Sequence, residues 1–91
     1  MIVVYTDEFN ISVKKLTDKI AIKRLNIIVE KLKNAKELSE VPNVLAIVGY
    51  PDRYRIRTGD YRLIVKYRSC EITILLLEYR KRNEKTYKKY K

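Results

Sequence analysis

The sequence predicts a small α+β domain, a mainly antiparallel sheet with an N-terminal helical hairpin on one face. Three observations predict it. Residues 50–67 alternate apolar and basic with period two on either side of Gly59-Asp60, as two half-buried strands joined by a tight turn do. Ala21, Leu25, Ile28, Leu32 and Ala35 recur at spacings of four and three, the apolar stripe of an amphipathic helix. The chain has 91 residues, enough for one modest core and one domain spanning residues 1–91.

In chain order, Ile2-Val3-Val4-Tyr5 is a short apolar run read as a strand. Thr6 suits an N-cap, with Asp7 and Glu8 favourable in the first turn, and Phe9, Val13 and Leu16 follow at helical spacing. Thr17-Asp18 interrupts and caps the second helix, whose polar side carries Lys19, Lys23, Asn26, Glu30 and Lys33. A link this short favours an antiparallel helix pair. Residues 36–43 read as a loop. Val44 to Val48 is apolar throughout, and periodicity leaves it open between strand and helical turn. Gly49 to Asp52 and Arg68 to Glu71 carry turn chemistry, and Ile72 to Glu78 reads as a strand in the sheet's interior. The order is β-α-α-β-β-β followed by a basic tail or helix.

Gly59 leading a two-residue loop suits a type II′ turn, and that turn fixes the register. Arg57 then faces Arg62, Ile56 faces Leu63, Arg55 faces Ile64 and Arg53 faces Lys66. Directly opposed residues share a face. Tyr54, Ile56, Leu63 and Val65 form the core side, while Arg53, Arg55, Arg57, Arg62 and Lys66 form the other. Like charges directly opposite are destabilising, so Arg57 against Arg62 suits either an anionic ligand across the sheet or a solvated face with acidic neighbours.

The net charge is +10, and residues 51–91, with thirteen Lys/Arg and five Asp/Glu, hold +8 of it. Such asymmetry points to nucleic acid or an acidic partner. One cysteine, Cys70, and no histidine exclude a Ser-His or Cys-His dyad and argue against a transition-metal site. The single thiol, the lack of a membrane-length apolar run and an N-terminus unlike a signal peptide give the expectation of a cytoplasmic protein.

Gly49-Tyr50-Pro51-Asp52-Arg53-Tyr54-Arg55-Ile56-Arg57-Thr58-Gly59-Asp60-Tyr61-Arg62 resembles the central motif of the RelE/ParE superfamily of toxins. The strand ending at Glu78, then Tyr79-Arg80-Lys81 and Tyr87, is similar to the family's C-terminal motif. The resemblance implies the toxin of a type II toxin–antitoxin pair, nearest the RelE-like mRNA interferase branch. It implies a metal-independent, cofactor-free endoribonuclease that cuts mRNA in the ribosomal A site and so inhibits translation. In that reaction the 2′-hydroxyl attacks the adjacent phosphate and leaves a 2′,3′-cyclic phosphate. The implied catalytic residues are Arg55, Arg57, Arg62, Arg80 and Tyr87, with Arg53, Lys66, Lys81, Arg82 and Lys85 as expected RNA or phosphate contacts. The implied partners are a cognate antitoxin, contacting the basic half through acidic residues, and the ribosome with its mRNA; neither membrane nor metal is expected.

This sequence departs from the family in three places. Both second-strand basic positions are Arg, where the RelE branch often has Lys; Tyr79 stands where many relatives have His; and the longer spacing from Arg80 to Tyr87 makes Arg82 a competitor for the Arg80 role. Arginine stabilises phosphate charge well and carries protons poorly. Tyr87 is a candidate proton acceptor or base-stacking group, or else packs on the sheet. The competing functions are a ParE-like, non-nuclease inhibitor of DNA gyrase and a catalytically inactive basic RNA-binding module. Two further expectations follow. The tail from Lys81 is loosely docked because its cations repel one another, and Arg62→Ala folds normally because Arg62 lies on an exposed face.

Overall fold

The computed structural model describes residues 1–68 and 71–82. Cys70, Lys85, Tyr87 and the tail beyond Arg82 lie outside the described residues. Strand β1 (Ile2–Tyr5) leads into helices α1 (Asp7–Lys14) and α2 (Lys19–Asn34), and a short 3-10 turn, Leu38–Glu40, follows. Strands β2 (Val44–Ile47), β3 (Tyr50–Thr58), β4 (Tyr61–Lys66) and β5 (Thr73–Lys81) follow among the described residues. Among the described residues β1 to β5 form one five-stranded sheet in the order β1-β5-β4-β3-β2, in which only the β1–β5 pair is parallel. The open choice at residues 44–48 resolves to a strand over Val44–Ile47, with Val48 in the turn that follows. β3 begins at Tyr50, so Pro51 and Asp52 belong to the strand rather than to the turn. β5 runs three residues past Glu78, through Tyr79, Arg80 and Lys81.

The helix starts follow from their caps. The Thr6 hydroxyl accepts from Phe9 N at 3.2 Å and donates to Leu76 O at 2.6 Å, tying the head of α1 to β5. The Asp18 carboxylate accepts from the amides of Ile20 and Ala21 at 3.0 and 3.1 Å. Such caps are each worth about 1 kcal/mol. Ala21, Leu25, Ile28, Leu32 and Ala35 are all buried, as their stripe predicts, against Ile56, Leu63, Val65, Ile74 and Leu76 of the sheet. Both helices therefore cover one sheet face. β1 ends at Tyr5, so beyond it the outer edge of β5 has no strand beside it. The Ser12 hydroxyl of α1 takes that place, accepting from Tyr79 N at 3.1 Å.

The hairpin has the expected register at every pair from Arg53↔Lys66 to Thr58↔Tyr61. Gly59 has φ +66°, and Asp60 keeps a negative φ, as a type II′ turn requires. A Cβ at Gly59 would also run into the Arg24 guanidinium, which lies against the turn.

Tyr79 is buried on the core face, with its ring stacked on Tyr61 at 5.1 Å. Its hydroxyl donates to Ala21 O at 2.8 Å, which leaves Thr58 Oγ1, 3.0 Å away, to donate to it. This one oxygen joins α2, β3 and β5. Burial raises the phenol above its ordinary pKa of 10.0, an effect the Thr58 hydrogen bond partly offsets. The unfolded tyrosine therefore ionises first. The stability that Tyr79 contributes is full below pH 10 and falls as pH rises further. Tyr79→Phe should cost about 1–3 kcal/mol at neutral pH, because Thr58 and Ala21 O lose a buried partner. The deficit should shrink above pH 10, which urea titrations of both proteins from pH 8 to pH 11 will measure. A deficit that stays constant over this range would contradict the assignment.

Candidate functional site

The face turned away from the helices carries the charge. Its strands bring together residues far apart in sequence. Arg57 opposes Arg62, and Arg62 opposes Arg80, so three arginines cross β3, β4 and β5 in one row. One step along, Leu45, Arg55, Ile64 and Glu78 form the next row, across four strands. Arg53 and Lys66 form a third, toward the far end of the hairpin. The face is not uniformly polar. Ile47 and Ile64 are buried in a small apolar cluster with Tyr50 and Leu77 packed against them. The simple alternation of residues 61–66 placed Ile64 among cations; the structure makes it the floor between them.

Asn43, Leu45, Arg55, Arg57, Arg62 and Arg82 line a cleft of about 170 Å³ on this face. Asn43 has φ +63°, a left-handed conformation that Asn tolerates better than most residues, and its carbonyl accepts from Arg57 N at 3.0 Å. That bond fixes the lip of the cleft to β3. Arg57 is exposed, and its guanidinium has no ion-pair or hydrogen-bond partner among the described residues. Arg62 is only 6% exposed. Its Nη1 turns back over the hairpin and donates to Tyr61 O at 3.0 Å and to Gly59 O at 3.4 Å. The expectation of an exposed Arg62 is thereby corrected. The reason is its central strand, where neighbours on both sides shield its side chain.

The two C-terminal arginines separate. Arg82 lines the cleft, and its amide donates to Asp60 O at 2.7 Å, which anchors it to the hairpin turn. Arg80 lies beside Arg62 in the row, with its Nε 3.3 Å from Oε2 of the buried Glu78. Lys81 opposes Tyr61, on the opposite side of the sheet from Arg80. Lys81 and Arg82 are thus held by the hairpin, contrary to a loose tail beginning at Lys81. At the far end, Lys66 and Arg68 approach Asp52 at 3.8 and 3.9 Å, while the Arg53 guanidinium lies over the Tyr50 ring at 5.1 Å. Tyr87 and Lys85 are outside the described residues.

Chemically, the cleft concentrates fixed cations able to bind and stabilise phosphate oxygens. Tyr79 offers no proton acceptor to this face, since its hydroxyl is committed to the core. Sequence reasoning missed Leu45, Asn43 and Glu78. Glu78 closes an apolar run and comes into phase with the arginines only through the bulge between Ile64 and Val65. Among the described residues no group of His, Cys, Asp or Glu side chains could hold a metal ion, and no helix is long and apolar enough to cross a membrane.

No family model and no curated protein sequence matches the chain. Solved structures do. A chain of the RelB-RelE antitoxin-toxin complex from Methanococcus jannaschii is 25% identical, with 96% of each chain covered and a TM-score of 0.76. The RelBE2 toxin-antitoxin complex from Mycobacterium tuberculosis is 17% identical, with 89% of this chain and 96% of that one covered and a TM-score of 0.69. The isolated E. coli RelE toxin is 19% identical, with 97% and 92% covered and a TM-score of 0.61.

Proposed function

We propose that this chain, a RelE-superfamily toxin of a type II toxin–antitoxin system, is a metal-independent endoribonuclease that cuts mRNA on the ribosome. The observation that carries the reading is one cleft lined by Arg55, Arg57, Arg62 and Arg82 on the uncovered sheet face. Such a set binds the scissile phosphate and stabilises the charge that builds on it as the 2′-oxygen attacks. In the reaction the O2′–P bond forms, the P–O5′ bond breaks, and a 2′,3′-cyclic phosphate remains. The catalytic residues are Arg55, Arg57, Arg62, Arg80 and Tyr87. Arg82 joins them through the cleft, and Arg53, Lys66 and Lys85 hold RNA more remotely, whereas Lys81, expected among these contacts, lies on the other side of the sheet and is not one of them.

A cleft rich in charge stabilisers and without histidine suits a substrate oriented by another machine. Positioning supplies several orders of magnitude in rate when the reacting groups are pre-aligned. A cognate antitoxin with acidic contacts neutralises the same face in the resting cell. The test is 5′-end mapping of mRNA on purified ribosomes programmed with a defined message. We expect cuts within the A-site codon and none on the same RNA without ribosomes. Intact message together with inhibited gyrase supercoiling would overturn the nuclease reading in favour of the ParE-like one.

A further inference from the structure

Glu78 is a buried acidic side chain on the face that otherwise gathers arginines. The core does not need it, since β5 sends Ile74, Leu76 and Tyr79 inward. Its position results from the bulge between Ile64 and Val65, which shifts the phase of β5 against β4. Without that shift the alternation of residues 74, 76 and 78 would point Glu78 into the core. With it, Glu78 stands opposite Ile64, one row from Arg57, Arg62 and Arg80, and its Oε2 lies 3.3 Å from Arg80 Nε.

Taking the nuclease reading as its basis, we infer that Glu78 is a positioning residue that orients Arg80 at the end of the arginine row. Three adjacent guanidinium groups repel one another, and an exposed arginine on an edge-facing strand otherwise swings into solvent. Arg80 is such a side chain, 51% exposed. The buried carboxylate draws the Nε edge of the guanidinium toward it by charge attraction and so leaves its two terminal nitrogens to face a phosphate. The carboxylate is rigid because it is buried. Glu78 itself touches no substrate. Its negative charge also opposes RNA binding, so its two effects on the reaction have opposite signs.

That opposition defines the experiment. Cleavage of message on programmed ribosomes is measured for the wild type, Glu78→Gln, Glu78→Asp, Arg80→Ala and the Glu78→Gln/Arg80→Ala double variant, with thermal melts of each. Glu78→Gln should lower kcat roughly 10- to 100-fold, the cost of a small misplacement. KM should stay level or fall on the order of twofold, since one repelling charge is gone. Glu78→Asp keeps the charge and withdraws it from Arg80, so it should also lose kcat and carries the test if Glu78→Gln melts early. The double variant should be no slower than Arg80→Ala alone. Wild-type kcat in both Glu78 variants, or losses that multiply in the double variant, would overturn the inference while leaving the nuclease reading intact. So would a kcat loss matched by a rise in KM and a fall in melting temperature, the pattern of a merely structural ion pair. A wild type that leaves programmed ribosomes uncut overturns the nuclease reading and this inference with it.

Discussion

Arg57→Ala should melt like the parent protein and cut ribosome-bound mRNA on the order of 10²–10³ times more slowly. The side chain is exposed and has no partner among the described residues, so its removal costs little packing. Its loss also relieves the direct opposition of Arg57 and Arg62, which should raise stability by a few tenths of a kcal/mol. The activity loss is large because the residue is anchored. Its amide is tied to Asn43 O, and its strand is paired on both sides, so the guanidinium is presented to the cleft with little reorganisation. Arg57→Lys should recover only part of the rate, since lysine keeps the charge and loses the planar fork. Single-turnover cleavage on programmed ribosomes, with a thermal melt of each variant, measures both halves. Undiminished cleavage by a folded Arg57→Ala protein would remove the cleft from the mechanism.

Arg62→Ala should lose both stability and activity. The guanidinium is buried and spans the hairpin turn, donating to Tyr61 O and Gly59 O. Deleting it removes two charge-assisted bonds and leaves space under the row, for about 1–3 kcal/mol in a denaturant titration. Relief of repulsion from Arg57 and Arg80 offsets part of this loss. Cleavage should also fall on the order of 10²-fold or more, as for removal of a preorganised donor. The two variants thus differ in stability and agree in activity. A fully stable Arg62→Ala protein would show that the bonds across the turn contribute nothing net. Lysine at this position should restore neither property, because its single nitrogen cannot reach both carbonyls and the cleft.

The sequence by itself determined the parts of this protein that short-range chemistry controls. The stripe Ala21, Leu25, Ile28 and Leu32 gave the buried face of α2 apart from Val29, and Ala35 is buried just past the helix end, because helical period and burial go together. Thr6 and Asp18 marked the helix starts, since an unsatisfied amide needs a near acceptor. Gly59-Asp60 set the hairpin register, and with it the placing of Arg53, Arg55, Arg57, Arg62 and Lys66 on one face, because a two-residue turn allows a single pairing. The tertiary structure alone decided what β5 contributes. Its register against β4 is closed by a long-range pairing and shifted by a bulge, and neither leaves a trace in alternation. That shift set Arg80 beside Arg62, turned Lys81 to the other face and brought Glu78 out among the arginines. Burial of Arg62, and of Ile64 with Ile47, likewise came from neighbours on adjacent strands. A residue's own strand tells which way its side chain points; what lies above it is supplied by chain distant in sequence.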